Sequence, residues 1–91
     1  MTLYHYLMKN HLGEDSPEGD LAEDTQRMTK MGKLHPRQFA RPYKTQCMRF
    51  LRFLQSQGAC DGAMRAAIHV GLEYLAYDRY ERTFRFNPHF S

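Results

Sequence analysis

Three glycines divide the chain into segments that each have helical periodicity. Gly13, Gly32 and Gly58 each follow a run in which apolar residues recur at intervals of three or four. A glycine directly after such a run is typical of a helix C-terminus, where the chain often takes the left-handed conformation that glycine adopts without strain. No stretch has the alternation of apolar and polar residues that marks a half-buried strand. The sequence therefore predicts an all-α fold.

The first two predicted helices have clear N-terminal capping residues. Thr2 can cap a helix over about residues 3–12. In the stretch "SPEGDLAED", Ser16 is the predicted N-cap and Pro17 the first helical residue, because proline is well tolerated where no backbone N–H is needed. The acids that follow suit the positive end of the helix dipole, and the bases near residue 30 suit its negative end.

The third and fourth helices are predicted from their apolar stripes. The third opens at Pro42 and runs to about Gln57, and the fourth spans about residues 61–82 with Asp61 as its cap. At about 100° per residue, one arc of the third helix holds its apolar side chains: Tyr43, Cys47, Phe50, Leu51 and Leu54. The predicted stripe of the fourth helix contains Met64, Ala67, Ile68, Gly71, Leu72 and Leu75. Gly71 costs about 1 kcal/mol of helix propensity, which indicates a close helix crossing there.

The chain has room for one modest hydrophobic core, since it contains 91 residues. We expect a single helical domain over residues 1–82, a small orthogonal bundle of about four helices. The Phe-rich segment 83–91, "TFRFNPHFS", has no helical period and contains a proline. It either packs across the bundle or extends as a tail.

Motifs in the N-terminal half are similar to those of a known family. In the N-terminal half, the helix start "LYHYLM" precedes "SPEGDLAED", and "HPR" could form the turn that follows. Later in the chain, "GLEYLAYDRY" is similar to the last helix of the same family. Together these resemble the YozE-like family, small bacterial helical proteins, and the resemblance implies a sterile-alpha-motif-like fold over about residues 2–80. The matching residues in the first two elements are Tyr4, Tyr6, Leu7, Asp20, Leu21, Ala22 and Asp24. The resemblance is in keeping with a nucleic-acid or protein interaction role, although this chain has a longer, more basic connection before its third helix.

The charges are strongly segregated along the chain. Residues 1–24 contain six acids and one base, a net −5, whereas residues 25–60 contain eight bases and no acid, a net +8. Residues 61–91 contain four charges of each sign. An ordinary solvated helix mixes charges of both signs, but the third predicted helix has no acid one turn away from any of its bases. This pattern favours an anionic partner, and the alternative is that the basic residues pair with the acidic segment inside the fold.

Seven basic residues form the predicted binding surface. They are Lys30, Lys33, Arg37, Arg41, Lys44, Arg49 and Arg52. DNA or RNA is the first candidate partner, bound through its phosphates, because clustered bases supply the sequence-independent part of nucleic-acid affinity. The second candidate is an acidic protein surface. It could be a second copy in head-to-tail self-association, or a larger protein that this one docks on and inhibits.

The sequence argues against catalysis, metal binding and membrane insertion. It contains no Walker loop, nucleophile elbow or dinucleotide fingerprint, and its histidines and cysteines lack metal-ligand spacing. We therefore expect a non-enzymatic protein with no cofactor. No apolar run approaches the roughly 20 residues that span a bilayer, and no signal peptide is evident. Two cysteines suit a reducing compartment, so a cytosolic location is expected, with Cys47 a small core residue.

Overall fold

Four α-helices make up the part of the chain that the structure describes. The computed structural model describes the backbone of residues 1–35 and 43–86 and the side chains of residues 1–35 and 44–79, and it contains no strand within these ranges. The helices are α1 (Leu3–His11), α2 (Pro17–Lys30), α3 (Tyr43–Ser56) and α4 (Asp61–Phe86). The all-α prediction is confirmed. None of the described helices is long and apolar enough to cross a membrane.

The predicted capping residues define the ends of the first three helices. The Thr2 hydroxyl accepts a hydrogen bond from the His5 N–H at 3.1 Å, and the Ser16 hydroxyl accepts one from the Gly19 N–H at 3.0 Å. Both bonds satisfy N–H groups that have no partner within the helix. The glycines that follow α1, α2 and α3 all have positive φ: Gly13 at 86°, Gly32 at 77° and Gly58 at 73°.

The fourth helix differs from its predicted bounds at both ends. Asp61 is its first helical residue and not its cap, and the Met64 N–H donates to the Cys60 carbonyl at 3.0 Å. The helix continues to Phe86, four residues beyond the predicted end. Thr83–Phe86 contains no residue that breaks a helix. The next proline in the sequence is Pro88, and a proline disfavours the helical conformation in the residue before it. Residues 87–91 of the predicted tail lie outside the described part of the chain.

Helix α4 contacts each of the other three helices and supplies the centre of the core. Val70 and Tyr74 on α4 have no exposed surface, and Leu3 and Leu7 of α1 are buried against them. The ring centroid of Tyr74 lies 5.6 Å from that of Tyr6, a tilted arrangement that aromatic pairs favour. The long last helix is therefore the element around which the other helices pack.

A buried hydrogen-bond network joins the N-terminus to α3 and α4. The Gln46 side chain on α3 is buried, with its Oε1 accepting from the Leu3 N–H at 2.9 Å. Its Nε2 donates to the Tyr74 hydroxyl at 3.3 Å, and that hydroxyl donates to the Met1 carbonyl. The predicted apolar arc of α3 is confirmed at Phe50 and Leu54, which are buried, but Gln46, one turn before Phe50, is buried too and the sequence did not single it out.

The predicted apolar stripe of α4 is only partly correct. Ala67 and Gly71 are buried as expected, but Ile68 and Leu72 are 48% and 63% exposed. The buried side is turned toward Ala66, Val70 and Tyr74, because α4 packs against α1 and α2 as well as α3. Apolar residues surround most of this helix, so spacing alone cannot tell which of them face solvent.

The close crossing predicted at Gly71 is present, and it joins α3 to α4. A Cβ atom at Gly71 would lie 3.4 Å from the sulfur of Cys47, so the two backbones approach within side-chain contact distance. The Cys47 thiol lies 3.7 Å from the Gly71 carbonyl, to which it donates. Cys47 is half-buried at the edge of the core, not a fully buried core residue as predicted, and this burial raises the pKa of its thiol.

Removal of the Tyr74 hydroxyl should measurably destabilise the fold. Tyr74→Phe leaves the Met1 carbonyl and the Gln46 amide without this partner, and a buried unsatisfied polar group costs about 1–3 kcal/mol. Urea unfolding followed by circular dichroism gives the free energy of unfolding. Tyr4→Phe is the matched control, since the half-buried Tyr4 makes no hydroxyl hydrogen bond to the described residues. Its effect should stay within about 0.5 kcal/mol; equal losses in the two variants would contradict the prediction.

Candidate nucleic-acid interface

Three exposed cations occupy one side of α3. Lys44, Arg49 and Arg52 are all exposed, and the opposite side of the helix carries the buried Phe50 and Leu54. At about 100° per residue, the three cations lie within about 140° of the helix circumference. We call these three residues the cationic face. The helix contains no acid, so the face has no negative charge of its own.

The cationic face makes no ion pair with the described side chains. None of its three residues lies within 4.0 Å of a carboxylate in the parts of the chain that the structure describes. Arg27 on α2 behaves differently, because it pairs with Asp24 of the same helix at 3.3 Å. Within these ranges, α2 neutralises part of its own charge and α3 leaves its cations to solvent.

The other predicted binding residues are only partly brought to this face. Lys30 and Lys33 are exposed at the end of α2 and just after it. Lys33 lines a groove of about 460 Å³ together with Leu54 and Gln57, at the C-terminal end of α3. Arg37 and Arg41 lie outside the described residues, as do the last two residues of the predicted "HPR" turn and the side chain of Tyr43.

Two carboxylates of the acidic segment, those of Glu14 and Glu18, are engaged by histidines and not by α3. His11 Nδ1 lies 2.9 Å from Glu14 Oε2, in the turn after α1. His69 Nδ1 on α4 lies 2.7 Å from Glu18 Oε1 on α2 and 3.7 Å from Glu73 Oε1. His11 Nε2 is buried, and Glu73 Oε1 lies 3.4 Å from it without hydrogen-bond geometry. These five residues form a His–Glu cluster that links α1, α2 and α4.

The His–Glu cluster changes the acidity of its members. The hydrogen bond to Glu18 raises the pKa of His69, and the same bond lowers the pKa of Glu18. Burial raises the pKa of Tyr6, and the Glu73 carboxylate beside its hydroxyl raises it further. Because His69 and Glu18 are 51 positions apart in the sequence, their contact could not be predicted from spacing. The His69–Glu73 spacing of one helical turn was the available indication.

No known protein was found to match this chain, whether among protein-family models, curated sequences or solved structures. The likeness to the YozE-like family stays a prediction from the motifs. Among the described residues, no group of three or more histidines, cysteines or carboxylates is arranged to hold a metal ion. The cationic face is the candidate site that the charge of the described residues indicates.

The coupling between His69 and Glu18 should depend on pH. Because the pKa of His69 is raised in the folded protein, its contribution to stability is fully present below the ordinary pKa of 6.5. That contribution is lost as the pH rises through the raised pKa. Because the pKa of Glu18 is lowered in the folded protein, its contribution to stability is present above the ordinary pKa of 4.5. That contribution is lost as the pH falls through the lowered pKa. Stabilisation should therefore be largest between these two values.

A double-mutant cycle isolates this coupling. The melting temperatures of the parent, His69→Gln, Glu18→Gln and the double variant would be measured at about pH 5.5 and about pH 8.5. The coupling should be larger at the lower pH. A coupling of equal size at both values would show that the protonation of His69 contributes nothing.

Proposed function

We propose that this protein is a non-enzymatic module that binds the phosphate backbone of nucleic acid on the cationic face of α3. The observation that carries the proposal is the exposure of Lys44, Arg49 and Arg52 on a helix without acids, with no carboxylate within ion-pair distance in the described part of the chain. The two free thiols, Cys47 and Cys60, suit the reducing cytosol, where nucleic acid would be available.

The dimensions of the cationic face suit a strand of nucleic acid. Lys44 and Arg52 are eight residues apart, or about 12 Å along the helix axis. One strand of duplex DNA carries a phosphate about every 3.4 Å along its axis, so the face spans several phosphates. Arginine guanidinium groups bind phosphate oxygens through two parallel hydrogen bonds. Lys30 and Lys33 would add contacts at the neighbouring end of α2, and such contacts position the chain without reading base sequence.

An acidic protein surface is the second candidate for the same face. The observation that favours it lies on α2, where Asp20 and Glu23 are exposed and make no ion pair with the described residues. A second copy of the chain could present these carboxylates to the cationic face, giving a head-to-tail assembly. Docking on a larger acidic protein would use the same charges.

The salt dependence of binding tests the nucleic-acid proposal. Fluorescence anisotropy with labelled duplex DNA, single-stranded DNA and RNA would be recorded between about 50 and 200 mM salt. Each phosphate contact contributes about 0.9 to the slope of log K against log salt on duplex DNA. The double variant Arg49→Ala, Arg52→Ala should therefore lower the slope by about 1.8 and weaken binding to every sequence alike.

A matched control separates the cationic face from net charge. The double variant Lys9→Ala, Arg27→Ala also removes two positive charges, one from α1 and one from α2. It should leave the slope of log K against log salt nearly unchanged. Equal losses of affinity in both double variants would show that binding depends on net charge and not on the cationic face. Absence of salt-sensitive binding to all three nucleic acids, together with a particle size that grows with protein concentration in light scattering, would favour the protein-partner alternative.

A further inference from the structure

An apolar groove runs between α3 and α4 on the surface of the protein. It has a volume of about 180 Å³, and its lining includes Met48 and Leu51 of α3 and Ile68, Leu72 and Leu75 of α4. Met48 and Ile68 are each 48% exposed and Leu72 is 63% exposed. We call this feature the α3–α4 groove. It results from the rotation of α4 that places Val70 and Tyr74 in the core and leaves Ile68 and Leu72 outside.

The exposed apolar side chains are concentrated at this groove. Met48, Ile68 and Leu72 are three of the six large hydrophobic residues that are exposed in the described part of the chain. Single exposed apolar residues are ordinary on a protein surface, but a contiguous set usually marks an interaction site. The groove is therefore a candidate docking surface.

The charges around the groove are mostly positive. Lys44 lines one end of it, and Arg65 lies on α4 one turn before Ile68, exposed and without an ion pair to the described residues. On the same side of α4, Asp61 is two turns from Ile68, about 10 Å along the axis. Asp78 and Arg79, about one turn beyond Leu75, add one charge of each sign. With Arg52, which is exposed on α3 one turn after Met48, the cations around the groove outnumber the acids, so an acidic partner is favoured.

We propose that the α3–α4 groove receives an amphipathic helix of a partner protein whose apolar stripe is flanked by acidic side chains. Ile68, Leu72 and Leu75 are spaced by four and three residues, so they present about two turns of apolar surface between the flanking cations. A helix laid into such a groove uses anchors at the same spacing. Acidic flanks would lie against Lys44 and Arg65 and set the choice of partner.

A second copy of this chain fits the groove less well. In a two-fold symmetric dimer the same surface meets itself, so a groove flanked by Lys44 and Arg65 would face the same cations of its partner. Like charges brought together at an interface oppose association. The groove shares Lys44 with the cationic face, whereas Arg49 lies about 100° around α3 from Met48 and outside the lining. Arg49 is therefore the residue that separates the two proposed surfaces.

Synthetic peptides test the proposal on the full chain. The probe is a labelled, helix-forming peptide of about 18 residues with leucines at helical spacing and flanking glutamates, and the matched peptide carries lysines in place of the glutamates. Fluorescence anisotropy should show saturable binding of the acidic peptide and binding of the basic one that is weaker by about tenfold or more. Leu72→Glu should weaken binding of the acidic peptide by about tenfold or more, because the substitution adds a like charge and removes an apolar contact.

Three further variants identify the surface used. Leu12→Glu makes the same change at a residue that is 40% exposed and lies outside the groove, so it should leave peptide binding unchanged. Arg65→Glu keeps the apolar lining and should shift the preference toward the basic peptide. Arg49→Ala should leave peptide binding unchanged while it weakens nucleic-acid binding, so each proposal can fail independently of the other.

Four results would overturn the partner-helix proposal. They are failure of both peptides to bind, equal binding of the two, unchanged binding in Leu72→Glu, and a dimer of the protein alone that Leu72→Glu abolishes in sedimentation velocity. The last result would assign the groove to a second copy.

Discussion

The outward direction of the cations on α3 depends on a polar contact buried at the centre of the bundle. The Gln46 side chain bonds the backbone of Leu3 and the hydroxyl of Tyr74, and that hydroxyl bonds the carbonyl of Met1. Buried polar groups are costly without partners, so α3 cannot rotate about its axis without losing both bonds of Gln46. Because Gln46 must face inward, Lys44 and Arg52 on the other side must face solvent.

The segregation of charge along the chain is resolved by the way the helices pack. Glu14 and Glu18 contact histidines, and Asp24 contacts an arginine of its own helix. These contacts involve α1, α2 and α4 and leave α3 out. The acidic segment therefore helps to hold three helices together, while the described cations of the third helix stay exposed to solvent. A single arrangement of helices thus stabilises the fold and leaves a cationic surface on it.

Local chemistry made the helices predictable, but long-range packing decided which surfaces they present. Thr2, Ser16 and the three glycines act within one turn of the chain, so the helix ends they predict are nearly correct. The rotation of α4 could not be predicted, because apolar residues surround most of it and only the packing of Tyr74 decides between them. Gln46 is polar and is buried only because Leu3 and Tyr74 meet it. Of the seven predicted binding residues, the five described ones are exposed as the charge pattern indicated, and Arg37 and Arg41 lie outside the described ranges.

The contact between Cys47 and Gly71 limits how this sequence can drift. A methyl group at position 71 would already touch the sulfur of Cys47, so a residue larger than alanine there would press on the thiol. Both residues also line the α3–α4 groove beside Lys44, so a change in either alters its shape. Among descendants of this chain, a bulky residue at position 71 should therefore be inherited together with a smaller one at position 47.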